Sequence, residues 1–231
     1  MPNKITILGG TGFVGSQLTI DLARHYNNVT VLTRRKQRYR DLKVLPNVHL
    51  KQCNVHNTDE LGAALAGSDA VVNLVGILNQ SNGNGDNSFF GAHAELTRKV
   101  VGAVRDCGTS HYIHMSALGA DAEEGGSEYL RSKGEAERHI ETGLYGSDNR
   151  SSCKTTLFRP SVIFGENDSF FNRFAPLVRG MLVFPLACPD SRMSPVYVED
   201  LSNMMAAALG LPGDNGSTCL LYTSPSPRDR G

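Results

Sequence analysis

The chain lacks three things at once: a net charge, paired cysteines and a long apolar run. Its 231 residues carry 23 Lys+Arg against 23 Asp+Glu, which removes the overall basic footprint of a nucleic-acid binder. A local basic patch remains at Arg34, Arg35, Lys36, Arg38 and Arg40. The five cysteines, at 53, 107, 153, 188 and 219, form no C-x-x-C pair and are odd in number. That argues against a disulfide frame or a zinc site and for reduced thiols in a cytosol-like compartment. His25, His111 and His114 stand singly, as surface or satisfied core histidines do, so no metal is expected. No apolar run approaches the ~20 residues of a membrane-spanning helix. With a first strand expected from Lys4, no targeting segment is expected before it. The expected location is therefore a bacterial cytoplasm, with peripheral attachment at the inner membrane as the alternative.

What is present is a globular composition, 40% apolar and 20% charged, enough to bury a core. Strands are expected at 4–8, 29–33, 48–54, 70–75, 112–116 and 155–158, alternating with helices at 12–26, 58–66, 89–107 and 129–142. The apolar run at 70–75, interrupted only by Asn73, marks a strand buried on both faces. Parallel strands need crossovers, so the alternation predicts an α/β fold: a doubly wound parallel (Rossmann) sheet with helices on both faces. Residues 1–165 are expected to form this nucleotide-binding domain. Residues 166–222 are expected to form a partial, truncated substrate lobe, with a returning helix at 199–209. Phe164, Phe170, Phe171, Phe174 and Phe184 would form a small core under that lobe, a surface that an apolar substrate would also use. The Ser/Pro/Arg tail at 223–231 reads equally as a non-native extension or a disordered terminus.

The most informative string is Gly9-Gly10-Thr11-Gly12-Phe13-Val14-Gly15, directly after the first strand and opening the first helix. A tight strand-to-helix turn needs a positive φ, and a pyrophosphate must approach bare backbone. The helix N-terminus then offers unpaired N–H groups to the phosphates. The strand-turn-helix context turns a weak motif into a dinucleotide site. An NAD site carries a carboxylate about 20 residues further on. Here the second strand ends in Thr33-Arg34-Arg35, two guanidinium groups suited to a 2′-phosphate. NADP(H) is the expected cofactor, with NAD(H) as the alternative.

Tyr129 and Lys133 lie four apart, on one helix face. The expectation is that the ammonium lowers the phenol toward acid/base duty and also holds ribose hydroxyls. Ser116, at the end of the preceding strand, can orient a substrate oxygen against that phenol. These three are the candidate catalytic residues.

With the segments Asn73-Leu-Val-Gly76, His114-Met-Ser116-Ala-Leu-Gly119, Tyr129-Leu-Arg-Ser-Lys133, Arg159-Pro-Ser-Val-Ile163-Phe-Gly165 and Pro195-Val-Tyr-Val-Glu-Asp200 added, the chain resembles the atypical or extended short-chain dehydrogenase/reductases. Within the epimerase/dehydratase superfamily it is most similar to the complex I accessory-subunit-like branch. The resemblance implies that Asn73, Val75 and Gly76 lie beside the cofactor and that Asn54 and Val55 flank the adenine. It implies too that Arg159 to Ile163, Pro160 included, close over the nicotinamide side. His93 stands where relatives often have Asn. Members of the group include oxidoreductases, some linked to ubiquinone biosynthesis, and nucleotide-binding subunits of a respiratory complex. Three functions follow as expectations: hydride transfer between NADP(H) and an unidentified small carbonyl or alcohol, an apolar one included; a non-catalytic structural or assembly subunit; and a nucleotide-sugar epimerase or dehydratase.

Overall fold

The computed structural model describes residues 2–39, 41–79, 85–145, 153–168 and 194–210, and the backbone of 217–221. Residues 80–84 of the Gly/Asn-rich loop, residues 169–193 of the expected lobe and the tail at 223–231 lie outside the described residues.

Six strands build the core of the sheet: β1 (Ile5–Leu8), β2 (Val29–Thr33), β3 (Val48–Gln52), β4 (Ala70–Asn73), β5 (His111–Met115) and β6 (Lys154–Pro160). Helices α1 (Phe13–Ala23), α2 (Thr58–Leu65), α3 (Leu96–Asp106) and α4 (Glu128–Ile140) connect them, α3 being led in by a π-helical turn at Gly91–Glu95. After β6 come a short pair, β7 (Ile163–Phe164) and β8 (Val196–Tyr197), then α5 (Val198–Gly210) and a last strand β9 (Ser217–Leu221). The sheet order is β3-β2-β1-β4-β5-β6-β9, and every pairing in it is parallel. The doubly wound expectation is met. The strand at 217–221 was not among the expected elements; it extends the sheet beyond β6.

Side-chain alternation on buried strands supplies two cores. Ile5, Ile7, Val31, Val72, Ile113 and Phe158 face α1 and α5, where Leu18, Leu22, Leu201 and Met205 meet them. Leu8, Val71, Tyr112 and Leu157 face the other side, against Leu61, Leu65, Leu96, Val100 and Ile140. Chain order reverses direction across β1 and β4, so a crevice opens at their carboxyl ends, the usual ligand position in such sheets. Caps fix the helix starts: Asn57 accepts the N–H groups of Asp59 and Glu60 at α2, and Ser127 accepts that of Leu130 at α4. Helix α1 has Gly12 as its N-cap, with no side-chain cap, which leaves its first N–H groups available to a ligand.

One buried polar link crosses the first core. Asp21 of α1, 4% exposed, accepts the hydroxyl of Ser202 of α5, which is wholly buried. Ser202→Ala removes a donor from a buried carboxylate and is expected to lower unfolding free energy by about 1–3 kcal/mol. Met204→Ala, at a side chain 40% exposed, should stay within about 0.5 kcal/mol. Urea unfolding of both variants checks the contrast, and equal losses would refute it.

Candidate active site

The glycine turn has the geometry its chemistry requires. Gly9 sits at φ 76°, in the left-handed region, and a methyl on it would lie 2.9 Å from the Leu74 carbonyl carbon. A methyl on Gly15 would overlap the Gly9 carbonyl oxygen, and Gly12 donates its N–H to that same oxygen at 3.0 Å. A methyl on Gly10 would press on Val31 of β2, 2.9 Å from its Cγ1. Thr11, Gly12 and Phe13 edge a cleft of about 410 Å³ that reaches Asn167 and Tyr197, while Val14 packs on the first core. Bare backbone and an uncapped helix start together fit a pyrophosphate.

The second cluster lies at the ends of β4 and β5. Lys133, 3% exposed, donates from Nζ to the Met115 carbonyl at 2.9 Å. A methyl on Gly76 would stand 3.4 Å from that Nζ and 3.5 Å from His93 Nε2. So Gly76 keeps open a bare surface against the buried ammonium. Desolvation brings Lys133 down to about 8, partly countered by Glu137. Ser116, 3% exposed, has a buried Oγ with no hydrogen-bond partner among the described residues. A hydroxyl so placed fits a ligand oxygen, since buried polar groups otherwise find partners.

Tyr129 is half-buried at the start of α4, its ring packed edge-on against His93 (centroids 5.3 Å) and Phe89 (5.8 Å). Burial raises its phenol above the ordinary tyrosine value. The expected lowering by Lys133 is thus corrected: the ammonium is directed at the Met115 carbonyl, and desolvation of the ring dominates.

His93 was marked in the sequence only as a departure from its relatives. The π-helical turn Gly91–Glu95 carries it inward, and such turns gather at functional sites. Its Nε2 accepts the Ile77 N–H at 3.1 Å, so Nδ1 bears the proton and donates to Ser132 Oγ at 2.8 Å. Ser132 in turn donates to the Tyr129 carbonyl at 2.8 Å. Burial, then the Lys133 charge, holds His93 down at about 3. It is a neutral clamp between the β4 loop and α4. Asn73 works similarly: its Oδ1 accepts the Val75 N–H at 3.1 Å and its Nδ2 donates to the Tyr112 hydroxyl at 3.3 Å. The side chain shapes the loop from within.

The remaining expected residues stand apart from that cluster. Arg34 and Arg35 are exposed at the end of β2, with no carboxylate beside them on the strand. Asn54, just beyond β3, accepts the His56 N–H at 3.2 Å, and Val55 packs on the second core. Pro160 ends β6 and its carbonyl takes the Leu118 N–H at 2.9 Å; Ile163 pairs with Val196. Arg159 pairs in two-pronged fashion with Glu137 of α4, a contact the sequence reading did not contain. Three cysteines, at 53, 107 and 153, are free thiols, and among the described residues no cluster could hold a metal ion. Among them, too, no helix is long and apolar enough to cross a membrane.

Three histidines buried in the uncharged form give a pH test. Burial lowers His93 to about 3, His111 to about 4 and His114 well below its ordinary 6.5. The unfolded chain takes up these protons near 6.5 and the folded chain does not. Stability from this source is present above pH 6.5 and is lost as pH falls below it, by up to about 1.4 kcal/mol per unit for each histidine. Between pH 6.5 and 4.5, His111→Asn should show a slope shallower by about one proton in urea unfolding. An unchanged slope would contradict the assignment.

A family described as NAD(P)H-binding matches residues 9–169. The chain is 27% identical over 220 residues to NADH dehydrogenase [ubiquinone] 1 alpha subcomplex subunit 9 of Dictyostelium discoideum, covering 91% of this chain and 56% of that one. Its rat counterpart is 28% identical over 234 residues, covering 96% and 56%. The chain therefore spans about half the length of these curated relatives. The crystal structure of UDP-glucuronic acid 4-epimerase from Bacillus cereus with UDP-glucuronic acid and NAD superposes with a TM-score of 0.77 at 17% identity, over 96% of this chain and 78% of that one. That likeness extends to the fold.

Proposed function

The chain belongs to the NAD(P)H-binding family, and on that premise we propose that it is an oxidoreductase that moves hydride between NADP(H) and a small carbonyl or alcohol substrate. The observation that carries the proposal is the unpartnered Ser116 hydroxyl beside the buried Lys133 ammonium, at the sheet edge that holds the glycine turn. A bound nicotinamide supplies or accepts the hydride. The Gly9–Gly15 turn holds the pyrophosphate on backbone N–H groups. Lys133 holds ribose hydroxyls, with Gly76 leaving room for them. Ser116 donates to the substrate oxygen and fixes it toward Tyr129, whose phenol gives or takes the proton on that oxygen. Asn54 and Val55 border the adenine, and Pro160 and Ile163 border the nicotinamide.

Arg34 and Arg35 support the NADP preference. Double substitution to Ala should weaken NADPH by roughly ten- to a hundredfold and NADH far less, since charge-assisted phosphate bonds are lost only for the former. Equal weakening in paired titrations would sink the assignment.

The names of the curated relatives, subunits of NADH dehydrogenase [ubiquinone], support a second reading, a subunit of a respiratory complex; in that reading the chain holds its nucleotide without turnover and associates peripherally with a membrane. The two readings part at Tyr129. Tyr129→Phe should spare NADPH affinity and cut turnover by roughly 10²–10⁴, whereas Lys133→Ala should reduce both. The subunit reading expects Tyr129→Phe to be silent and Lys133→Ala to lower only nucleotide-dependent thermal stability. NADPH titrations and a carbonyl-reductase screen on wild type and both variants decide, and undiminished turnover in Tyr129→Phe would refute its catalytic role.

A further inference from the structure

A file of hydrogen bonds with one direction runs into the site from the end of β4. The Asn73 amide is oriented by the Val75 N–H, which its Oδ1 accepts at 3.1 Å, so Nδ2 is its donor, toward the Tyr112 hydroxyl at 3.3 Å. That hydroxyl donates in turn to His114 Nδ1 at 3.2 Å, and Asn73 Nδ2 approaches the same nitrogen at 3.5 Å. Both neighbours offer protons to Nδ1, so Nδ1 accepts and the proton of the neutral ring sits on Nε2. Burial keeps the ring uncharged, far below its ordinary 6.5. The Nε2–H is therefore a donor with a fixed place, and it is buried with no partner among the described residues.

A second buried polar atom without a described partner, Ser116 Oγ, lies two residues on. The ladder to β6 continues past the end of β5: Ser116 N–H donates to the Phe158 carbonyl at 2.7 Å and Leu118 N–H to the Pro160 carbonyl at 2.9 Å. The backbone thus stays extended, and alternation puts Tyr112, His114 and Ser116 on one face. That face carries the core of Tyr112, Val100 and Ile140, under α3 and α4. His114 is 1% exposed and Ser116 3%. Between the two, Lys133 comes down from α4 to the Met115 carbonyl. Side chains two apart on a strand have bases about 6.6 Å apart, a gap that one oxygen hydrogen-bonded at both ends can close. Buried waters take such places, between polar groups otherwise left unsatisfied. On the reading of Ser116 as the group that meets the substrate oxygen, we propose that His114 is a positioning residue: its Nε2–H donates to one buried water, and that water donates to Ser116 Oγ. A serine hydroxyl has a single proton and two lone pairs. With one lone pair taken by the water, its proton is turned toward the substrate oxygen. The file then runs in one sense from Asn73 through Tyr112, His114 and the water to Ser116.

The water and the tautomer are tested on the wild-type full chain, with and without NADPH. A high-resolution crystal structure should show one water oxygen within about 3.2 Å of both His114 Nε2 and Ser116 Oγ. The nitrogen-15 NMR shifts of the His114 ring should be those of a bare Nδ1 and a protonated Nε2. A water on one of the two atoms only, on neither, or a proton on Nδ1 overturns the proposal. The positioning role is tested by turnover in the carbonyl-reductase screen. His114→Leu should lower kcat by roughly tenfold and leave NADPH affinity unchanged, and His114→Gln, which keeps a donor, should recover most of that loss. In a Ser116→Ala background His114→Leu should cost nothing further, because His114 acts through Ser116. Losses that multiply, or a kcat untouched by His114→Leu, overturn the role. Should His114→Leu fail to fold, the tautomer and the shared water in wild type still decide. Absence of turnover in wild type overturns instead the enzymatic reading beneath the role, and leaves the water to stand or fall by the crystal structure.

Discussion

An ammonium removed from water is costly to bury, by several kcal/mol unless oxygens replace its hydration. Lys133 has one described oxygen, the Met115 carbonyl at 2.9 Å, and one nearby carboxylate, Glu137. Satisfying even this much draws on three parts of the fold. β5 has to end where the carbonyl of residue 115 faces α4. α4 has to lie close enough to the β4 loop that a methyl on Gly76 would come into contact with Nζ, 3.4 Å away. β6 has to deliver Arg159 to Glu137. Two further ammonium protons remain for a ligand. Burial of this one cation therefore links the register of β4, β5 and β6 to the position of the candidate site.

The sheet was legible because its signals are local. Val29–Thr33 was placed to the residue, and Ala70–Asn73 was announced by an apolar run that only a doubly covered strand permits. The strand Ser217–Leu221 was not legible: it follows Pro212 and Gly213 and precedes a Ser/Pro-rich stretch, and its five residues have no alternation strong enough to stand against those neighbours. The π-helical turn at Gly91–Glu95 was hidden for a different reason. Periodicity detects a helix of 3.6 residues per turn and passes over one inserted residue, yet that insertion aims His93 at the Ile77 N–H.

In the site, residue types were readable and their balance was not. The sequence shows that Tyr129 and Lys133 share a helix face. It does not show which influence on the phenol is larger, because desolvation depends on Phe89 and His93, at and just before the π-helical turn that leads into α3, packing on the ring. Coulomb attraction was expected to prevail, and burial does. Glu137 was within reach of sequence reasoning, being one more four-residue step along α4. Arg159 was not, since 22 residues separate the two and only the pairing of β6 with β5 brings them together.

Ser116 separates what nucleotide binding needs from what chemistry needs. The glycine turn and Lys133 would serve a nucleotide held for structural purposes alone. The Ser116 hydroxyl is one of four buried hydroxyls without a partner among the described residues, with those of Thr97, Thr109 and Thr155, and of the four it alone directly follows the carboxyl end of a strand, where a ligand would lie. Its backbone N–H is fully used, donating to the Phe158 carbonyl at 2.7 Å, so strand pairing does not require a polar side chain there; alanine would satisfy β5 as well. At that place a ligand oxygen can supply the partner that the described residues do not. Lys133 reaches the same strand end through the Met115 carbonyl, so ammonium and hydroxyl sit on neighbouring residues there, an arrangement that supports the enzymatic reading.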